Sequence, residues 1–451
     1  MEGVWMIDAA AVCRPEYVKG SSYLLPRSER EGLLTLPDGT SAVQGFVHRV
    51  RPMGGVNFVM VRTARAVVQC VWDGELPEGL CDGACVDVRG TVLEDERAQG
   101  GFELMATSID VLSKPAAPAP ISLGRRRLEA SLEVLLDIRP FSLRHPKERA
   151  VWKIEEAMLA AYRAYMSANG FTEVKSPKIV AGGVEGGANV FKLDYFGKPA
   201  VLAQSPQSYK QMLVGVYGRV FETAPVYRAE KHNTTRHLNE YIGLDFEMGF
   251  IRDFTDIMKM EAGMLRHMMA TVADTCAYEI ALLEADVPVV GEIPVLKFKH
   301  AKELLAEQFG IKNRGADLSP EEEVHLGQWA KTNFGSDFVF ITHYPSGKRP
   351  FYTRDDPEDP GFTCSFDLLF RGLEITTGGQ RVHDYESQVE KMRSRGLDPA
   401  DFEGYLMMHK YGMPPHGGLG IGLERIAVQL LGMKNIRHAS LFPRDTGRVE
   451  P

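Results

Sequence analysis

Residues 228–240 read Arg228-Ala-Glu-Lys-His-Asn-Thr-Thr-Arg-His-Leu-Asn-Glu. Arg228, Glu230, Lys231, His232, Arg236 and His237 crowd a stretch too polar to be core. Apolar runs at 220–226 and 241–250 flank it, so the pattern predicts a long hairpin loop carrying cations on a rigid scaffold. Two arginines held in this way suit an anionic ligand, because the guanidinium fork matches phosphate and carboxylate geometry. Taken alone, the same charges also fit a solvated turn.

The elements that must position this loop follow from the rest of the chain. At 451 residues, 44% hydrophobic and 25% charged, the composition is that of a globular protein of two or three domains. Five short strand-like segments, at 42–50, 57–62, 66–72, 85–93 and 102–112, alternate with Gly-rich turns and predict a small closed barrel of OB-fold type. Lys114-Pro-Ala-Ala-Pro-Ala-Pro120 reads as a spacer, followed by the basic run Arg125-Arg126-Arg127. From Pro146 the period changes. Val151, Ile154, Met158, Ala161, Tyr162 and Tyr165 fall at helical spacing, with Gly170 as the stop signal. Extended segments then alternate with helices, and a Gly-rich strand at 417–422 runs into a helix at 423–431. We therefore expect an α+β chain: an extension at 1–39, a barrel at 40–113, a linker at 114–145, and a large domain on an antiparallel sheet at 146–451.

Bulk properties narrow the function. A formal net charge of −8 argues against indiscriminate nucleic-acid binding, so any such contact must come from a few placed groups. No run approaches the roughly 18 apolar residues of a membrane helix, and no basic leader precedes the first apolar stretch. Six scattered cysteines suit a reducing cytoplasm. Cys81 and Cys85 form a lone Cys-x3-Cys with no second pair, which weighs against zinc.

Two further elements stand with the cationic loop: Gly170-Phe-Thr-Glu-Val-Lys-Ser-Pro177, a strand ended by proline, and Gly418-Leu-Gly420-Ile-Gly422-Leu-Glu424-Arg425. The latter lacks the Gly-x-Gly-x-x-Gly spacing and the βαβ surroundings of a dinucleotide site. In this order the three elements resemble motifs 1, 2 and 3 of class II aminoacyl-tRNA synthetases. Gln204-Ser-Pro-Gln207-Ser-Tyr-Lys210-Gln211, Glu374-Ile-Thr-Thr377-Gly-Gly-Gln-Arg381, Tyr411-Gly-Met-Pro-Pro-His-Gly and Phe442-Pro-Arg-Asp445 resemble signatures of the archaeal/eukaryotic aspartyl branch. The resemblance covers roughly residues 40–445.

That resemblance implies an enzyme using ATP and Mg2+ to activate L-aspartate and charge tRNA(Asp), as a cytoplasmic homodimer. By the same resemblance Arg228 and Arg425 would clamp ATP as the catalytic cations. Ala229, Glu230, Arg236, His237, Leu238, Gly422, Leu423 and Glu424 would complete the nucleotide site. Glu374 and the Thr377 hydroxyl would hold magnesium, Thr377 standing where serine is common, and hard oxygen ligands fit that ion. Lys210 and Arg381 would take the aspartate side-chain carboxylate, with Glu185, Gln207, Arg228 and Thr377 around the rest of the amino acid. Buried cations would reject asparagine, whose neutral amide would leave them unpaired. Pro177 would lie at the dimer interface. In the barrel, Phe58, Gln69 and Glu103 would read anticodon bases by stacking and edge contacts. His48 stands where relatives charging both tRNA(Asp) and tRNA(Asn) tend to carry His and strictly specific ones Trp. It implies relaxed tRNA choice. The turn at 63–67 lacks the Asp-x-x-Gly of many members. Three other readings remain: an asparaginyl enzyme, a catalytically silent tRNA-binding paralogue, and an amide-forming relative that uses no tRNA.

Overall fold

The computed structural model describes residues 33–451, apart from 37, 64–65, 99–100, 126, 183–188, 232–233 and 313–314. The chain divides into two compact units between Ala130 and Ser131.

The first unit is the barrel. Its strands are β1 (Leu34–Thr35), β2 (Ser41–Met53), β3 (Val56–Arg62), β4 (Val67–Asp73), β5 (Cys85–Glu94) and β6 (Phe102–Ser113). They run in the order β1-β2-β3-β4-β6-β5, and a β2–β5 pairing closes the sheet on itself. Alternation explains the closure. Val43, Val47, Val59, Val61, Val68, Cys70 and Leu104 point inward and form the barrel core, leaving intervening residues outside. Leu33 joins that core and β1 pairs with β2, so the barrel begins before residue 40.

The second unit opens with α1 (Leu132–Asp137) and α2 (Arg139–Ser142). Arg139 is buried and donates to the carbonyl of Leu441 at 2.8 Å, while Arg448 reaches Asp137 at 2.6 Å. Residues 131–145, expected as linker, therefore pack with the second unit. The helix α3 (Pro146–Ala168) starts with proline at its first turn, capped by the His145 imidazole, and buries Val151, Ile154, Met158, Ala161 and Tyr162 on one face. Gly170, at φ +76°, turns the chain into β7 (Thr172–Glu173).

A small sheet of β8 (Ile179–Val180), β9 (Lys192–Tyr195) and β10 (Lys198–Leu202) precedes α4 (Gln207–Tyr217). The hairpin β11 (Arg219–Tyr227) and β12 (Glu240–Gly249) carries the cationic loop, as its flanking runs predict. After it come α5 (Thr255–Thr275), α6 (Ala277–Leu283), β13 (Val295–Lys297), α7 (Phe298–Phe309), α8 (Pro320–Phe334), β14 (Phe338–Thr342), β15 (Ser365–Phe370) and β16 (Leu373–Gln380). The chain ends with α9 (Tyr385–Ser394), α10 (Glu403–Lys410), β17 (His416–Gly422) and α11 (Leu423–Leu430). The main sheet has eight strands in the order β13-β14-β15-β16-β17-β12-β11-β7. Its six central strands are antiparallel as expected. Both edge pairings, β7–β11 and β13–β14, are parallel, so the sheet is mixed.

Helices α3 and α5 cover one face of this sheet with a core including Ile154, Met158, Tyr162, Met264, Leu265, Phe246 and Leu419. Glu155 of α3 and Glu261 of α5 carry buried carboxyls. Glu261 of α5 has no exposure beside Thr376, and burial pushes its pKa up to about 8, with Asp367 adding to the rise. An unfolded glutamate releases its proton near 4.5, whereas the folded one keeps it to about 8. The folded state thus binds the extra proton between those limits, so stability falls with rising pH across that window and levels off above it. Glu261→Gln should remove this dependence. The variant's stability relative to the native chain should rise by on the order of 3 kcal/mol between pH 5 and pH 8, read by denaturant unfolding. An equal difference at both pH values would contradict the assignment.

Candidate active site

The central strands lay polar groups in a row across the open face of the sheet. Asp367 on β15 pairs with Thr377 on β16, which pairs with Gly420 on β17, which pairs with Asp245 on β12. Two residues along, Gly418 faces Glu247. The glycines are needed here. A Cβ at Gly418 would lie 2.3 Å from the Glu247 carboxylate, and one at Gly420 would lie 3.0 Å from that of Asp245. The Gly-rich strand therefore leaves room for two acids on its neighbour.

Those acids meet Lys210 and Arg381, the two cations expected around the amino acid. Lys210 of α4 is 1% exposed; its Nζ donates to Asp245 Oδ1 at 2.8 Å and to the Leu419 carbonyl at 2.7 Å, with Glu247 at 3.6 Å. Arg381 grips Glu247 from Nε at 2.8 Å and Nη2 at 3.3 Å, and also bonds the Gly418 carbonyl at 2.9 Å. Its Nη2 lies 3.5 Å from Gln207 Oε1, and the guanidinium stacks 5.3 Å over the Tyr352 ring. Burial works against a charge on Glu247, but Arg381 and Lys210 outweigh it and hold the carboxyl below the usual glutamate range. The structure thereby corrects one expectation: both cations already have protein carboxylate partners, and the bidentate edge of Arg381 is spent on Glu247. An arriving carboxylate must join a preset ion quartet, with Arg381 Nη1 as the donor edge that none of these bonds uses.

The quartet opens into a cavity of about 370 Å³ lined by Gln207, Lys210, Arg381 and Thr377 at one end and by Arg228, Glu230, Arg236, His237 and Leu238 at the other. Glu374, Gly422, Glu424 and Arg425 also border it. Nearly every expected site residue outside the barrel thus converges on one cleft. Two exceptions are clear. Ala229 is off the cavity wall and its amide donates to Asn189, while Leu423 is buried in the main core. Glu424 borders the cleft with its carboxyl turned onto the Ile242 amide at 3.0 and 3.1 Å, where burial pushes its pKa up to about 8. Those bonds join α11 to the hairpin. Glu185 lies outside the described residues.

The cationic loop is pinned at its base. Asn239 donates from its side chain to the carbonyls of Arg228 at 2.6 Å and Glu230 at 3.0 Å. Arg228 sits over the Tyr241 ring at 5.7 Å and 3.9 Å from Glu230. Arg425 Nη1 donates to the Glu374 carbonyl at 2.8 Å and lies 3.7 Å from its carboxylate. Thr377 Oγ1 donates to Glu374 Oε1 at 2.9 Å, so the two expected metal ligands are adjacent oxygens. No cluster of three or more metal-ligating His, Cys, Asp or Glu side chains occurs among the described residues.

Several contributors escaped the sequence reading. Asp245 and Glu247 stand two apart within an apolar strand, a spacing that puts both on one face and could have announced them as partners for buried cations. Arg349 lines the cleft, bonds Asp367 at 2.7 Å and stacks 4.0 Å over Tyr344, from a loop with no flanking periodicity.

In the barrel, Phe58 and Gln69 stay out of the core cluster, on faces alternate to Val59 and Val68. Gln69 Nε2 donates to Glu103 Oε2 at 3.0 Å, which brings those two together on the outer wall. His48 is the extra residue of a bulge, between Val47 paired with Val61 and Arg49 paired with Met60. Pro177 is exposed beyond the edge strand β7. Cys81 and Cys85 are free thiols.

Comparison with known proteins agrees with this geometry. The family described as tRNA synthetases class II (D, K and N) matches residues 131–446, and an OB-fold nucleic acid binding domain family matches 42–112. The aspartate–tRNA(Asp/Asn) ligase of Thermus thermophilus is 47% identical over 411 residues, 90% of this chain and 96% of that protein. The aspartate–tRNA(Asp) ligase of Pyrococcus horikoshii is 37% identical, covering 91% and 95%. Among solved structures, the asparaginyl-tRNA synthetase of Pyrococcus horikoshii with asparaginyl-adenylate superposes with a TM-score of 0.85 at 33% identity, covering 91% and 96%. The chain belongs to the class II aminoacyl-tRNA synthetases of the aspartyl, lysyl and asparaginyl group and, within it, to the aspartate–tRNA ligases.

Proposed function

We propose that this chain joins L-aspartate to ATP, forming aspartyl-adenylate and pyrophosphate, and transfers the aspartyl group to tRNA(Asp) and tRNA(Asn). The observation that carries the reading is the buried quartet of Lys210, Asp245, Glu247 and Arg381 at the closed end of a cleft whose open end holds Arg228, Arg236 and Arg425. In the first step an α-carboxylate oxygen of aspartate attacks the α-phosphorus and the bond to pyrophosphate breaks. Negative charge accumulates on phosphate oxygens, so preorganised cations supply the catalysis and no covalent enzyme intermediate is needed. Arg228, stacked on Tyr241, and Arg425, fixed by the Glu374 carbonyl, suit that work. Glu374 and Thr377 would hold Mg2+ together with phosphate oxygens, and the ion would neutralise charge on the departing pyrophosphate. In the second step a ribose hydroxyl at the tRNA 3′ end attacks the adenylate carbonyl and AMP leaves.

Acceptance of tRNA(Asn) is supported by His48 at its bulge beside the outer wall carrying Phe58, Gln69 and Glu103. It is supported too by the Thermus thermophilus and Deinococcus radiodurans relatives, both named aspartate–tRNA(Asp/Asn) ligases. A homodimer is supported by a patch of exposed apolar side chains in the second unit: Val216, Tyr217, Phe250 and Tyr411 are 54–81% exposed. Their segments meet through the Gly249 amide on Gly218 and the Ile251 amide on Pro415. We place the protein in the cytoplasm, consistent with five free thiols among the described residues.

Arg381→Ala should lower kcat/KM for aspartate in ATP–pyrophosphate exchange by roughly 10²–10³-fold, because it leaves Glu247 buried with one partner fewer. Retained aspartate activation would refute the pocket assignment. Labelled aspartate should appear on purified tRNA(Asn) as well as tRNA(Asp). Product on tRNA(Asp) alone would restrict the enzyme to one acceptor, and product on neither would return the chain to a silent tRNA-binding role.

A further inference from the structure

Glu323 stands at the first turns of α8, outside every motif that suggested the site. Its neighbour Glu322 closes the helix capping box with Ser319 and takes Lys302, so that residue is occupied by structure. Glu323 faces the other way and is 8% exposed. One of its oxygens, Oε2, accepts from Arg236 Nη1 at 3.1 Å and from the Glu374 backbone amide at 3.2 Å. Arg236 also donates from Nη2 to the Gly372 carbonyl at 3.3 Å. The close seating of the helix makes this reach possible. A Cβ at Gly327 would fall 2.5 Å from the Gly372 nitrogen, and one at Gly372, where φ is +79°, would fall 2.7 Å from the Val324 Cα. The helix thus lies directly on the turn between β15 and β16, and Glu374 begins two residues after that turn's glycine.

We infer that Glu323 is a positioning residue for ATP: it aims Arg236 into the cleft and ties it to the strand that carries Glu374. A guanidinium has five donors, and the two bonds that fix Arg236 leave the others for phosphate oxygens. Without its anchor, Arg236 would belong to a solvent-facing loop and would have to be ordered at each binding event. The carboxylate also connects three nucleotide-side segments, since Glu374 in turn holds Arg425 through its carbonyl at 2.8 Å. The four charges of the Lys210–Arg381 quartet share no hydrogen bond with Glu323 or Arg236 among the described residues.

The inference rests on reading the cleft as an ATP site, and the test separates the two. In ATP–pyrophosphate exchange with the full chain, Glu323→Gln should raise the KM for ATP about tenfold and change the KM for aspartate less than twofold. Arg236→Ala should raise the KM for ATP at least as much, and the double variant should be no worse than Arg236→Ala alone. Gly327→Ala, which displaces the helix and removes no charge, should shift the KM for ATP in the same direction. An unchanged KM for ATP in Glu323→Gln, an additive loss in the double variant, or an equal rise in the KM for aspartate would each overturn the role of Glu323. Absence of aspartate-dependent exchange in the native protein would instead overturn the reading of the cleft.

Discussion

On the proposed reading, amino-acid recognition depends on four charges buried under one sheet: Lys210, Asp245, Glu247 and Arg381. Isolated, any one of them would cost several kcal/mol to bury. Together they are neutral, and each is hydrogen-bonded. The arrangement constrains the fold around it. Strand β12 must alternate acids toward the cleft, and strand β17 must be glycine wherever it passes them. Helix α4 must lie over the sheet so that Lys210 reaches two strands. Selectivity then has a sharper physical basis than unpaired cations. The pocket is balanced before the ligand arrives, so the Arg381 edge offers a carboxylate partial positive charge within a rigid frame. An amide there would present N–H groups to a donor.

The half of the cleft proposed for the nucleotide follows a different rule. Its cations stand on separate elements: Arg228 and Arg236 on the loop after β11, and Arg425 on α11. Such groups must be aimed individually, and the structure does so with ordinary hydrogen bonds to carbonyls and carboxylates. Asn239 holds the loop base, the Glu374 carbonyl holds Arg425, and Glu323 holds Arg236. Glu424, expected beside ATP, belongs to the same scaffolding layer because its carboxyl is committed to Ile242.

Much of this was legible in the residues. The hairpin around the cationic loop followed from apolar runs on either side, helix α3 from its period, and the barrel from alternating strands with glycine turns. The converging set from Lys210 to Arg425 was legible only as a resemblance, because contacts spanning some two hundred residues leave no local periodicity. The helices at 132–142 were mistaken for linker, since their anchor is Arg139 reaching Leu441, a pairing no window of sequence contains. The parallel edge strands were missed for the same reason: β13 and β7 are two or three residues long and take their direction from long connections. Asp245 and Glu247, passed over within an apolar run, are the reason for the glycines facing them.

The most direct test of the account compares aspartate with asparagine as the substrate supporting ATP–pyrophosphate exchange by the native protein. The ion quartet predicts kcat/KM for aspartate higher by about 10³-fold or more, as for a site built to pair with a specific polar group. Comparable exchange with asparagine, or exchange with asparagine alone, would contradict it.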